Sequence, residues 1–262
     1  MALERHPPPL IMVAPTGARK GKGDHPRLPL SIQEIRDETV ACASAGADAL
    51  HLHVRDQSGR HSLDPGRYKE AIAEVHDALP DFPIQITTES AGVFDVEQQL
   101  ACLRDLRPKA ASISIREVAR DAALAARIYG TCSDNGTSVQ HILYDLDDWT
   151  QLLAWQEKGV VKADQADVIF VLGRYAPPKA AKPSDLDSLT HLFPHLPGRV
   201  MICAFGPSEH DVLCAASAYG ADLRVGFENN IYTEDGERAE SNATNVAALK
   251  AALVFRTQGL LQ

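Results

Sequence analysis

Eight short apolar segments recur along the chain, separated by stretches in which apolar residues have helical spacing. The segments cover residues 10–16, 49–54, 83–88, 110–115, 138–145, 167–173, 199–206 and 222–228. Amphipathic stretches lie between them, for example at 31–46, 64–80 and 95–108, and a final one spans 241–259. Several begin at a capping residue and end at Gly or Pro, as helices commonly do. The pattern therefore predicts strands that alternate with helices.

Eight strand–helix units in 262 residues match a (β/α)8 TIM barrel, a fold that takes about 250 residues. An open doubly wound α/β sheet is the alternative, but no G-x-G-x-x-G sequence follows the first predicted strand. We find no interior linker, so we expect an α/β fold with a single barrel domain over residues 1–262. The longest irregular stretches, 17–30 and 174–183, each follow a strand and are expected at the mouth that holds the active site of such barrels.

Composition narrows the class of protein. The formal net charge of −9 argues against a nucleic-acid-binding protein, which needs a basic surface. The five cysteines form no C-x-x-C pair and suit a reducing cytoplasm. We predict neither a signal peptide, because a proline run and Glu4 occupy the first ten residues, nor a membrane span of about 20 apolar residues.

Two histidines share one face of the second predicted strand. Side chains alternate across a strand, so His51 and His53 of "HLHVRD" point to the barrel axis while the leucines and valine face the helices. The same alternation in "DLRVGFE" turns Arg224 and Glu228 inward. Two imidazoles and one carboxylate with open positions suit a catalytic divalent metal. Satisfied core or surface histidines are the competing interpretation.

Other polar groups also point inward or lie at the mouth. Alternation places Gln85, Thr87, Ser112 and Ser114 on the inner face of the third and fourth strands. Arg55 and Asp56 are interpreted as an ion pair at a strand end. The basic cluster Arg19, Lys20 and Lys22 is interpreted as a solvated loop, or as a guide for an anionic substrate.

The same segments resemble a known family. "APTGARKGKGDHPRLPLSIQEI", "GADALHLHVRDQSGRHSLDPGRY", "QITT" and "RVGFENNIY" together resemble the β-keto acid cleavage enzymes, which include 3-keto-5-aminohexanoate cleavage enzyme. The resemblance runs in order over nearly the whole chain. It implies a zinc-dependent retro-Claisen-type transfer on a TIM barrel, in which a β-keto acid and acetyl-CoA give acetoacetate and a new acyl-CoA. It also implies a homo-oligomer, commonly a tetramer.

The resemblance implies roles for individual residues. Zinc would be held by His51, His53 and Glu228, the three residues that strand alternation also selects. Arg224 would activate or position the reacting group. Thr87, and Ser112 or Ser114, would bind the substrate carboxylate or carbonyl. Thr16 and Gln140 complete the expected substrate-binding set.

Two departures from the family pattern leave the general base open. Many members have Asp after the metal-binding Glu, whereas this chain has Asn229, which accepts no proton at neutral pH; many also have Glu where this chain has Gln140. Glu89 and Glu117, at the ends of the third and fourth strands, are candidates for the base. The loss of two acids predicts a β-keto acid with a neutral or acidic side chain.

Three functions follow as hypotheses. The first is the metal-dependent transferase. The second is a metal-dependent aldolase or hydrolase in the same pocket, which would need no acetyl-CoA. The third is a non-catalytic metal- or ligand-binding relative.

Overall fold

Eight parallel strands close into a barrel in the computed structural model, which describes residues 7–233 and 235–259. The described strands, in chain order, are β1 (Ile11–Val13), β2 (Ala49–Leu52), β3 (Val54–Arg55), β4 (His61–Ser62), β5 (Ile84–Thr87), β6 (Ala110–Ser114), β7 (Ser138–Leu143), β8 (Asp167–Leu172), β9 (Val200–Ala204) and β10 (Asp222–Val225). All except β3 and β4 form the barrel, and Met12 of β1 closes it between Ala49 and Arg224. The predicted single-domain barrel is confirmed.

Helices cover the outside of the barrel. The described α-helices are α1 (Ile32–Ala45), α2 (Pro65–Ala78), α3 (Val96–Leu106), α4 (Ile115–Val118), α5 (Ala122–Asn135), α6 (Leu146–Glu157), α7 (Glu209–Ser217) and α8 (Asn242–Gly259). Between β8 and β9 the chain forms two 3₁₀ helices, Pro183–Ser188 and Phe193–His195. The four helices predicted from the amphipathic stretches are α1, α2, α3 and α8.

Local sequence explains where the first helix begins and ends. Ser31 and Glu34 form a reciprocal capping box at the start of α1, which satisfies backbone donors that the first turn leaves unpaired. Gly46 ends the helix in the left-handed conformation that glycine adopts without steric cost.

Two of the three apolar clusters among the described residues lie on opposite faces of the barrel strands. The larger packs the outer faces of the strands against the helices and includes Val13, Leu50 and Leu52. The smaller contains barrel-interior side chains such as Met12, Ile169 and Met201. Alternation along each strand therefore separates an outer apolar core from an inner one, as expected for this barrel.

The structure differs from the predicted segments at two strands that matter for the site. The segment 49–54 is not one strand: β2 ends at Leu52, and β3 and β4 form a separate antiparallel hairpin beyond His53. The segment 222–228 is strand only to Val225. The expected ion pair of Arg55 with Asp56 is wrong, because Asp56 pairs with Arg60 while Arg55 donates to the carbonyls of Gly17, Lys20 and Gly59.

No helix in residues 7–233 and 235–259 has the length and apolar character that a membrane crossing requires. The signal-peptide prediction concerns residues 1–10, of which residues 1–6 lie outside the described part of the chain.

Candidate metal centre and substrate cavity

His51, His53 and Glu228 come together inside the barrel. One ligand atom from each lies within 4.8 Å of the others, and all three residues are buried. The Nε2 atom of His51 lies 3.7 Å, and that of His53 3.5 Å, from Oε2 of Glu228. His51 is on β2, His53 follows it directly, and Glu228 comes from the turn after β10.

These three residues fit a divalent metal ion. Two ligand atoms bound to one tetrahedral zinc ion at about 2.1 Å lie about 3.4 Å apart, close to both separations. Within the described residues, both ring nitrogens of His53 and Oε2 of Glu228 are buried without a hydrogen-bond partner. Burying polar atoms without partners is costly, and coordination of a cation would remove that cost.

A row of side-chain amides orients His51. Its Nδ1 atom donates to Oε1 of Gln85 at 2.8 Å, Gln85 donates to Gln140 at 3.2 Å, and Gln140 reaches the sulfur of Met201 at 3.7 Å. With the proton on Nδ1, the Nε2 atom carries a free lone pair on the side of the ring that faces Glu228. Burial, and then the charge of Arg224, lower the pKa of His51 to about 3, so the ring is the neutral ligand that metals bind.

Backbone contacts present Glu228 to the histidines. Gly226, at φ +142°, bends the chain where a Cβ atom would lie 2.5 Å from the carbonyl oxygen of Ala14. Asn242 accepts a hydrogen bond from the Phe227 amide at 2.7 Å. Lys20 donates to the carbonyl of Glu228 at 2.7 Å, and the Tyr175 hydroxyl donates to the same oxygen. Glu228 therefore faces inward as predicted, but a turn after the strand, and not strand alternation, carries it to the centre.

Arg224 lies beside the candidate ligands on β10. Its Nη2 atom is 3.4 Å from Oε1 of Glu228 and 3.4 Å from Sγ of Cys203. Burial alone would raise the pKa of Glu228, but Arg224 and the two histidines together outweigh burial and hold that pKa well below its usual range. In the described structure Nε and Nη1 of Arg224 have no hydrogen-bond partner. The guanidinium thus has donors left for an anionic group.

A cavity of about 550 Å³ opens over this centre. His51, Arg224 and Glu228 contribute to its wall, together with residues from the ends of β5 to β9 and the loops that follow them. The volume is typical of small-molecule sites. The cavity lies at the carboxyl ends of the strands, as predicted for a barrel enzyme.

The five predicted substrate-binding residues differ in whether they line the cavity. Of these residues Thr87 lines the cavity. Asn229, which was predicted to be catalytic, lines it as well, and its side-chain amide has no hydrogen-bond partner in the described part of the chain. The other three hydroxyl residues, Thr16, Ser112 and Ser114, are buried, and their hydroxyls have no hydrogen-bond partner among the described residues. They are not among the described residues of the cavity wall. Gln140 reaches the centre only through Gln85. The substrate-binding roles of all five residues stay predictions.

Sequence reasoning missed three contributors to the site. The sequence places Gln85 on the inner face of its strand, two residues from Thr87, but assigns it no role. Tyr175 lies in the predicted mouth loop, but nothing in the sequence singles it out. For Lys20 the interpretation as part of a solvated loop is wrong, because its ammonium lies 4.9 Å from the centroid of the Tyr175 ring and donates to the Phe227 and Glu228 carbonyls. Burial lowers the pKa of Lys20 to about 8.

Solved structures support the fold. ObcA in a binary complex with oxaloacetate superposes with a TM-score of 0.71 at 15% sequence identity, over 88% of this chain. This chain spans 64% of that protein. At this identity the likeness concerns the fold alone.

Curated relatives align over most of their length. The chain is 25% identical to 3,5-dioxohexanoate:acetyl-CoA acetone transferase from Paraburkholderia graminis, covering 93% of this chain and 89% of the relative. It is 26% identical to 3-keto-5-aminohexanoate cleavage enzyme from Fusobacterium nucleatum, covering 89% and 86%. It is 26% identical to 3-oxoadipate:acetyl-CoA acetyltransferase from Cupriavidus necator, covering 93% and 88%.

The sequence profile of the beta-keto acid cleavage enzymes matches residues 8–256, which include every barrel strand and all three candidate metal ligands. The chain belongs to the beta-keto acid cleavage enzyme family.

Proposed function

We propose that this protein is a zinc-dependent transferase that converts a β-keto acid and acetyl-CoA into acetoacetate and a new acyl-CoA. The observation that carries the proposal is the His51–His53–Glu228 cluster beside Arg224 at the wall of one cavity. Two of the three curated relatives named above carry acetyl-CoA in their names, and the third is a cleavage enzyme for a β-keto acid.

The bond changes of this reaction balance without a further reactant. Carbon 2 of the β-keto acid loses a proton and bonds to the carbonyl carbon of acetyl-CoA, and CoA leaves as the thiolate. The thiolate then attacks the original ketone, and the bond between that carbon and carbon 2 breaks. Carbon 2 regains a proton, so the products are acetoacetate and the acyl-CoA of the original ketone.

The chain's own residues supply binding, orientation and charge. A divalent ion held by His51, His53 and Glu228 would act as a Lewis acid toward the negative charge that develops on the ketone oxygen. The free donors of Arg224 bind and orient the substrate's anionic group beside the centre. The Asn229 amide offers a donor and an acceptor to the substrate without adding charge.

Charge in the cavity bears on the substrate class. The cavity wall includes Arg19, Arg174 and Arg224. Asn229 and Gln140 stand where many family members carry an acid, so the centre lacks two carboxylates that could pair with a cationic side chain. We therefore include in the proposal a β-keto acid whose side chain is neutral or acidic.

The proposal extends to assembly and location. We expect a homo-oligomer, a tetramer by resemblance to the family, which light scattering of the purified protein would test. We expect the protein in the cytoplasm, since its five cysteines are buried and form no C-x-x-C pair.

The test is a coupled assay of the zinc-loaded protein with amino-substituted, neutral and acidic β-keto acids, each with and without acetyl-CoA. Acetoacetate that forms only with acetyl-CoA, fastest from a neutral or acidic substrate, is the expected result. Turnover without acetyl-CoA would identify an aldolase or hydrolase instead. Zinc binding without turnover of any substrate would favour the non-catalytic relative.

A further inference from the structure

Five carboxylates line the described part of the cavity, and they differ in what holds them. They are Glu89, Glu117, Asp145, Asp185 and Glu228. Glu228 belongs to the metal cluster. A reaction that removes a proton from carbon needs a base among the remaining groups, because the Asn229 amide cannot accept a proton at neutral pH.

Glu117 is fully occupied by hydrogen bonds. Its Oε2 atom accepts from the Ser90 amide at 2.8 Å and from Gln99 at 3.0 Å, and Oε1 accepts from the Ser90 hydroxyl at 3.0 Å. These contacts tie the end of β6 to the segment after β5. Glu117 is therefore a structural carboxylate.

The two aspartates are also engaged. Asp145 caps α6 through the amides of Asp147 and Asp148 and pairs with Arg116 at 2.7 Å. Asp185 accepts from the Lys182 amide at 3.1 Å and so caps the 3₁₀ helix Pro183–Ser188. Neither has a carboxylate free to take up a proton without losing these contacts.

Glu89 has a fixed backbone and a free carboxylate. Its amide donates to the Thr87 hydroxyl at 2.9 Å, and its carbonyl accepts from His61 at 2.7 Å. In the described structure no hydrogen bond reaches either carboxylate oxygen, and its ionic contact there is with Arg19 at 3.8 Å. The Glu89 side chain is only 18% exposed. The carboxylate is thus shielded from solvent and held in place by its backbone, and no hydrogen bond of the described structure gives it a structural role.

We propose that Glu89 is the general base that takes the proton from carbon 2 of the β-keto acid; this inference rests on the proposed function. The carboxylate oxygen forms the new O–H bond, the C–H bond breaks, and its electron pair moves into the enolate of the ketone. After transfer, the protonated Glu89 returns the same proton to carbon 2 of the departing acetoacetate. The proton balance over the cycle is therefore zero.

The surroundings of Glu89 suit this role. Burial raises the pKa of Glu89, which brings it closer to the neutral pH at which a base works best. Glu228 and Glu117 act in the same direction, whereas His53 and Arg19 oppose it. Arg19 is 46% exposed and 3.8 Å away, so its contact constrains the carboxylate only weakly.

Exchange of carbon 2 protons with D2O, followed by NMR in the absence of acetyl-CoA, measures this step alone. The zinc-loaded protein should exchange the substrate's protons faster than buffer does. In Glu89→Gln the catalysed exchange rate should fall by at least about 100-fold, while the zinc content stays unchanged. Glu70→Gln, which changes an exposed carboxylate on α2, is the control and should exchange close to the wild-type rate. A smaller loss in Glu89→Gln would overturn the inference.

Chemical rescue separates a base from a purely structural residue. Added acetate should restore exchange to Glu89→Ala in proportion to its concentration and should leave exchange by the control Glu70→Ala unchanged. Absence of rescue together with wild-type exchange in Glu89→Gln would exclude Glu89 and leave the proposed function intact. If the wild-type protein neither exchanges these protons nor forms acetoacetate, the proposed function itself fails.

Discussion

The Nε2 atom of His53 lies 3.5 Å from Oε2 of Glu228, and neither atom has a hydrogen-bond partner in the described residues. Two buried polar atoms at this distance are too far apart for a good hydrogen bond and well placed to share a cation. A shared cation would explain why the chain places His51 and His53 inside the barrel, where a core would otherwise hold apolar residues.

The first prediction concerns metal content. The wild-type protein should hold about one zinc ion per chain after loading and dialysis, measured by elemental analysis, because three protein ligands define one site. His53→Ala should lose nearly all of it, since one imidazole and one carboxylate remain. The exposed His191 is the control, and His191→Ala should keep the full content. Equal zinc in both variants would contradict the site.

The second prediction concerns the amide that orients His51. Gln85→Leu removes the acceptor that holds the proton on Nδ1, so zinc affinity should fall about 10- to 100-fold. Gln85→Glu keeps an acceptor there and should bind zinc more tightly than Gln85→Leu. Competition with a chromogenic chelator gives both affinities. Undiminished affinity in Gln85→Leu would show that the hydrogen bond plays no part in binding.

A third prediction tests the close packing of Gly17 on Glu228. Gly17 has φ +66°, and a Cβ atom there would lie 2.8 Å from Cγ of Glu228. Gly17→Ala should therefore lower the free energy of unfolding by about 1–2 kcal/mol and also weaken zinc binding. Gly130 of α5 has open space around it, so Gly130→Ala should raise stability by about 0.5–1 kcal/mol. Urea unfolding compares the two, and the account fails here if Gly17→Ala is tolerated as well as Gly130→Ala.

A fourth prediction concerns acid sensitivity. Burial lowers the pKa of His141 from 6.5 to about 4 in the folded protein. Between these two pH values the unfolded chain binds a proton on His141 and the folded protein does not. Protonation of His141 therefore leaves the free energy of unfolding unaffected above about pH 6.5 and lowers it progressively as the pH falls toward 4. From pH 7 to pH 5 the loss is about 2 kcal/mol.

Replacing the imidazole should remove that sensitivity. His141→Gln should show a smaller fall in the free energy of unfolding between pH 7 and pH 5 than the wild-type protein, even if it is less stable throughout. Urea unfolding at both pH values measures the difference. The same pH dependence in the two proteins would mean that His141 is not the group responsible.

The sequence predicted the barrel because strand alternation is a local property. Residues such as Leu50 and His51 reveal by position alone which side faces the helices and which the interior. Glu228 shows where that reasoning stops. Its strand ends at Val225, and Gly226 redirects the chain through a conformation that depends on its close approach to Ala14.

The mouth loops could not be predicted in the same way. Lys20 and Tyr175 are 155 residues apart, yet both contact the carbonyl of Glu228. Irregular segments have no periodicity, so only the folded barrel determines which of their side chains turn inward. The different fates of Glu89 and Glu117, which are equivalent candidates in the sequence, likewise depend on the partners that Ser90 and Gln99 provide to one of them.

The most direct test of the central claim uses acetyl-CoA labelled with ¹³C at the acetyl carbonyl, incubated with the zinc-loaded protein and its best β-keto acid. The account predicts that the label appears in the ketone carbon of acetoacetate, that an unlabelled acyl-CoA accumulates in equal amount, and that His53→Ala forms neither. Cleavage of the keto acid with the label left in acetyl-CoA would contradict the transfer mechanism.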